Sequence, residues 1–194
     1  MSAHGDLKLK FGDGRTYCVT PNGKIIAYQT GGMRFLEGCM DFSVSTGYTN
    51  LAILIKCDDN TAIRNFINQY RNAFDGIPVK QKFVDYTKGQ ISGKVVNTTL
   101  TSAVCGDIND LLPTDINNAI QRFIKDVLVG AMEVPEDVII LVAPELKIVR
   151  NLQLAKNFEL NGNLFVVGAA TGKFRGILQS FCSGIRCGQL LVRR

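Results

Sequence analysis

The chain has 194 residues, of which 46% are hydrophobic and 20% charged, with a formal charge of +5, one histidine and no tryptophan. That length holds one sizeable core, or a domain with an arm, and no apolar stretch reaches the length of a membrane span. The single histidine, His4, sits among small and charged residues, where nothing holds an imidazole within reach of a nucleophile; this argues against histidine-assisted serine or cysteine catalysis.

Residues 1–16 read as a flexible arm, with Gly12-Asp13-Gly14 as a turn signal, and 17–194 as a single domain. The start lacks the apolar core of a signal peptide, so the cytoplasm of the producing cell is the expected location. Tyr17–Thr20 and Lys24–Thr30 suggest a hairpin about Pro21-Asn22-Gly23, closed by Gly31-Gly32; residues 33–50 show no period. Leu51–Lys56 is a near-continuous apolar run, expected as an inner strand. Asp58 or Asp59 can cap the next helix, in which Ile63, Phe66, Ile67, Tyr70 and Phe74 form one stripe until Asp75-Gly76 and Pro78. Residues 79–87 and 90–101 alternate like an exposed β-ribbon about Lys88-Gly89, with one slip at Gln81.

Residues 113–147 carry the clearest pattern. Ile116, Ile120, Phe123, Ile124, Val127, Leu128 and Ala131 recur at helical spacing, with Asn117, Gln121, Lys125 and Asp126 turned away, and Pro135 ends the helix. Val138–Val142, uninterrupted and mostly β-branched, predicts a central strand covered on both sides. Leu146–Phe158 has the composition of an interrupted helix, and Asn161-Gly162-Asn163 turns the chain into a strand at Leu164–Val167. The order of elements predicts an α+β fold: a mixed central sheet flanked by two amphipathic helices, with a protruding ribbon at 79–101 and an N-terminal arm.

Candidate chemistry is sparse. Six cysteines are scattered without a C-x-x-C pair and read as free thiols; Cys182 and Cys187 find no histidine or third cysteine for zinc. Asp58-Asp59 reads as a helix cap, and Asp107 with Asp110 as an Asx turn. Gly168-Ala169-Ala170-Thr171-Gly172-Lys173-Phe174 resembles a nucleotide-phosphate loop but has one residue too few between its glycines and Phe where a magnesium-binding hydroxyl is needed. Backbone amides near Gly172, with Lys173 and Arg175, remain able to bind a phosphate or carboxylate. No catalytic set, cofactor or metal site is expected.

Charge is most telling by position. Residues 150–194 hold seven Lys or Arg against Glu159 alone, a formal +6, which leaves −1 for the rest. Lys173, Arg175, Arg186, Arg193 and Arg194 are the candidate contacts to phosphate groups, those of DNA or RNA included, or to an acidic surface on a neighbouring subunit. The low charge elsewhere suits a surface buried in contacts with copies of itself.

Val134–Leu146, VPEDVIILVAPEL, following the helix over 114–132, resembles the segment V-P-x-x-x-x-x-L-V-x-P-x-x of tailed-phage major capsid proteins with the HK97-type fold. The resemblance covers about 35 residues; it implies a strand entering a sheet and a short helix near Pro144, and it carries over no active site. The long spine helix of that family has no counterpart in this sequence. The expectation is a non-enzymatic structural protein that self-assembles, as a viral shell and in the virion if the resemblance holds. A nucleic-acid-binding accessory protein is the alternative, and an enzyme for a phosphate-containing substrate the third reading.

Overall fold

Two turns direct the first strands, and the computed structural model, which describes residues 9–12, 14–40, 43–92, 96–147, 152–174 and 176–192, shows where they lead. Lys10–Phe11 (β1) folds back on Gly14–Pro21 (β2), which pairs antiparallel with Thr49–Ile55 (β5). Lys24–Thr30 (β3) pairs over its whole length with Met33–Cys39 (β4). The Asn22-Gly23 turn therefore joins two sheets and closes no hairpin. The real hairpin turn is Gly31-Gly32, both at positive φ, a conformation that glycine adopts without a Cβ penalty. Of the arm expected over 1–16, Lys10–Phe11 and Gly14 onward are strand, with Gly12 in a turn, while residues 1–8 and Asp13 lie outside the described residues.

The stretch 33–50 that showed no period holds β4, whose Met33, Phe35 and Leu36 enter the core. Asn60–Phe74 (α1) follows, capped by the Asp59 side chain on the Thr61 amide and ended by Asp75 and Gly76 at positive φ. Its Phe66 and Tyr70 are buried, with Tyr70 stacked on Phe66 at 6.1 Å and against Phe35 of β4 at 5.6 Å.

The ribbon expected at 79–101 is absent from the described residues. Val79–Lys82 (β6) is the middle strand of a mixed sheet, parallel to Val104–Cys105 (β7) and antiparallel to Ile140–Ala143 (β8). The chain then coils into one helical turn, Phe83–Tyr86 (α2). A strand would put Phe83 and Tyr86 on opposite faces; a helical turn puts them on one, and both are fully buried. The slip at Gln81 has a different origin: it lies within β6 on the same face as Val79, and its polar side chain is buried there.

Thr114–Phe123 (α3) continues as a wider π-helical stretch over Ile124–Ala131. The changed pitch alters the face expected from a 3.6 period. Phe123, Ile124, Val127 and Leu128 are buried, whereas Ala131 is exposed; Asn117, read as turned away, lies in the α-helical part and is buried as the acceptor of the Tyr86 hydroxyl. After a 3-10 turn at Glu136–Val138, β8 is an edge strand with four half-buried residues, not the central, doubly covered strand expected. Residues 144–147, where the capsid resemblance implies a short helix, have no regular structure.

The fold is α+β, its strands spread over two three-stranded and two two-stranded sheets among the described residues. One apolar cluster joins β4, α1, β6, α2, Leu111 and the π stretch. A polar chain is threaded through it. Gln81 accepts the Ile108 amide at 2.9 Å and donates to Asp107; Asn109 donates to Asp107 and to the Tyr86 carbonyl; the Tyr86 hydroxyl donates to Asn117 Oδ1 at 2.7 Å. Asn117 Nδ2 in turn reaches the Leu112 and Asn109 carbonyls. Burial, with the Asp107 carboxylate adding to it, pushes the Tyr86 hydroxyl far above the ordinary tyrosine range.

Contacts divide the chain into two compact units, Met1–Leu146 and Lys147–Arg194, where the sequence carries one domain across that point. In the second unit, Glu159–Asn161 (β9) and Leu164–Phe165 (β10) form a hairpin around Gly162, followed by a 3-10 turn at Gly168–Thr171 and a long helix, Ile177–Val192 (α4). Of the helix expected over Leu146–Phe158, residues 148–151 lie outside the described residues and 152–158 are not helical.

Candidate anion site at the head of the last helix

The glycine-rich turn before α4 is held together by three hydroxyls. Thr171, fully buried, donates to the Gly168 carbonyl at 2.8 Å and accepts the amides of Lys173 at 3.0 Å and Phe174 at 3.3 Å. Ser183 accepts the Gly168 amide at 2.8 Å and donates to the Ser180 carbonyl; Ser180 donates to the Phe174 carbonyl at 2.7 Å. The turn is thereby fastened to the first two turns of α4. Gly168 and Gly172 both have positive φ, and a Cβ at Gly168 would press on Ser180 at 3.3 Å. Phe174 packs on Phe158, ring centres 5.9 Å apart.

This geometry leaves the helix head open. The Ser180 amide closes the first helical hydrogen bond on the Gly176 carbonyl, and the Gln179 side chain accepts the Gly176 amide at 3.4 Å. Gly176 has no side-chain oxygen to cap the following amides. Those of Ile177, Leu178 and Gln179 have no acceptor among the described residues. No acidic residue lies in the first turn of α4, and Ile177 is 94% exposed. Free amides together with the positive end of a sixteen-residue helix attract an anion. Lys173, exposed, stands just before this head.

Of the five basic residues singled out by sequence, only Lys173 is placed beside the turn. Arg186 is exposed nine residues into α4, about 14 Å along the axis from Ile177 at 1.5 Å per residue, and does not join it. Arg175, Arg193 and Arg194 lie outside the described residues. Sequence reasoning missed Thr171, Ser180 and Ser183, which organise the turn. Ser180 and Ser183, three apart in an apolar helix, were the available signal.

Two other places lack the groups for such a role. A cavity of about 300 Å³ beside α1 is lined by Asp59, Thr61, Asn65, Phe66, Gln69 and Leu111, but its one carboxylate is engaged in capping the helix at 2.7 Å and no base faces it. The Gln81–Asp107–Asn117 chain is satisfied internally and is a brace. Among the described residues no group of three or more His, Cys, Asp or Glu could hold a metal, and no helix is long and apolar enough to cross a membrane. Compared with family models, curated proteins and solved structures, the chain has no significant match in any of the three.

Proposed function

We propose that the turn over 168–174 and the head of α4 bind the phosphate group of a phosphorylated small molecule. The observation that carries this reading is the first turn of α4, without a cap among the described residues, open to solvent, free of acid and preceded by Lys173 in the most basic quarter of the chain. Isothermal titration with pyrophosphate, AMP and ADP tests it. Ile177→Asp places a carboxylate among the free amides at an exposed position, which favours the helix and repels an anion. Affinity is expected to vanish in that variant and to weaken several-fold in Lys173→Ala. No binding of any of the three ligands at millimolar concentration, or binding untouched by Ile177→Asp, overturns the reading. Binding of a single-stranded oligonucleotide that fades with salt and ignores Ile177→Asp would favour the nucleic-acid alternative instead.

Self-association is the second reading, favoured by the outer face of α4, where Leu178, Phe181, Ile185 and Val192 are exposed. A shell of the kind suggested by the capsid resemblance is its largest form. The mass of the purified chain by light scattering, compared with 21.3 kDa, separates monomer, dimer and particle.

A further inference from the structure

At 3.6 residues per turn, Ile177, Phe181, Gly184, Ile185, Gly188 and Val192 fall within about 100° of one another on α4. This stripe faces away from the side that buries Ser183 and Cys187. Its four apolar side chains are 94%, 66%, 48% and 88% exposed in chain order, and a Cβ at either glycine would meet nothing within 4 Å. Those four residues alone expose roughly 600 Å², a large part of the roughly 800 Å² that each partner covers in a stable interface. No charged residue lies in the stripe, so a nucleic acid or an acidic peptide finds no complement there.

The order of large and small residues identifies the occupant. When two copies of α4 cross antiparallel about a two-fold axis between Gly184 and Ile185, Phe181 of each lies over Gly188 of the other. Ile185 then meets Gly184, and Ile177 meets Val192. Every bulky residue finds a gap or an apolar end, as a self-complementary isologous interface requires. We propose that α4 is the two-fold interface between two copies of this chain, with Phe181 seated over Gly188 of the second copy. This rests on the self-association reading and adds the contact and its register. The free amides of α4 point along its axis, so pairing across the stripe leaves the anion site open.

Sedimentation equilibrium of the full chain tests the interface. Gly188→Leu fills the gap under Phe181 yet touches nothing in its own chain, and it raises helix propensity, so the fold is kept. A wild-type dimer is expected, with its dissociation constant raised about thirty-fold or more in Gly188→Leu, because each dimer carries the overpacked contact twice. Phe181→Ala combined with Gly188→Leu exchanges the large and small partners and is expected to restore association. A monomeric wild type removes the self-association reading altogether. A wild-type dimer unaffected by Gly188→Leu, or weakened by it without rescue by the double variant, leaves self-association standing and overturns this interface.

Discussion

Thr171→Val removes one hydroxyl and keeps the shape, and it tests whether the turn ahead of α4 is built around that oxygen. The Gly168 carbonyl, in a buried contact, loses its donor, which costs about 1–3 kcal/mol. The Lys173 and Phe174 amides lose their acceptor, but both are only partly buried and can find water, so each adds about 0.5–1 kcal/mol. The expected loss is about 2–5 kcal/mol. Thr171→Ser keeps all three bonds and loses one methyl, about 0.8 kcal/mol. Urea unfolding followed by far-ultraviolet circular dichroism suits a chain without tryptophan. Pyrophosphate titration of both variants then links the turn to binding: Ser is expected to bind as the wild type does and Val weakly. Equal stability of Val and Ser variants would refute the account of the turn.

Asp59→Ala removes the cap on α1 and is expected to cost about 1 kcal/mol by urea unfolding; Asp58→Ala, which breaks only an exposed pair with Lys56, serves as the near-silent control. Alkaline pH should weaken the first unit. Burial raises the hydroxyls of Tyr70 and Tyr86 well above the ordinary value near 10, with Arg34 pulling slightly the other way at Tyr70. The unfolded chain thus loses these protons first as pH rises. Stability is intact below pH 10 and falls above it, by up to about 1.4 kcal/mol per pH unit for each tyrosine. Tyr86→Phe should flatten that fall measurably in unfolding experiments between pH 9 and 11.

What the sequence made legible was set by local forces. The α1 stripe and its Asp59 cap are written in spacing and capping chemistry within a single turn. The turn at Asn161–Asn163 is likewise local, and so is the 3-10 turn that Asp107 caps through the Asn109 amide. What was not legible depends on partners distant in the chain. β3 pairs with β4 rather than β2 because β2 is claimed by β5, some thirty residues on. Gln81 breaks the alternation because its carboxamide donates to Asp107 and accepts the Ile108 amide, and Asn117 leaves its polar face because Tyr86 needs an acceptor. At the candidate site the glycines and Lys173 were visible as a motif. Of the hydroxyls, Ser180 and Ser183 left only their three-residue spacing as a sign, and Thr171 left none, since a buried Thr has no period that distinguishes it from a solvated one.

The corner between β2 and β3 bears on tolerance to mutation. Pro21 and Asn22 are exposed, as turn tips usually are, and such positions ordinarily accept change. Yet the space a Cβ at Gly23 would fill is already taken by Asn50 of β5, whose Oδ1 lies 1.5 Å from it and is buried without a partner among the described residues; its Nδ2 sits 3.0 Å from the matching point at Gly38 of β4. One carboxamide thus spans two sheets through the room that two glycines leave. In a library of variants the turn should therefore show three grades, with exposed Pro21 permissive, exposed Asn22 held by its positive φ to residues such as aspartate and glycine, and buried Gly23 admitting glycine alone, so that exposure by itself would misjudge Asn22.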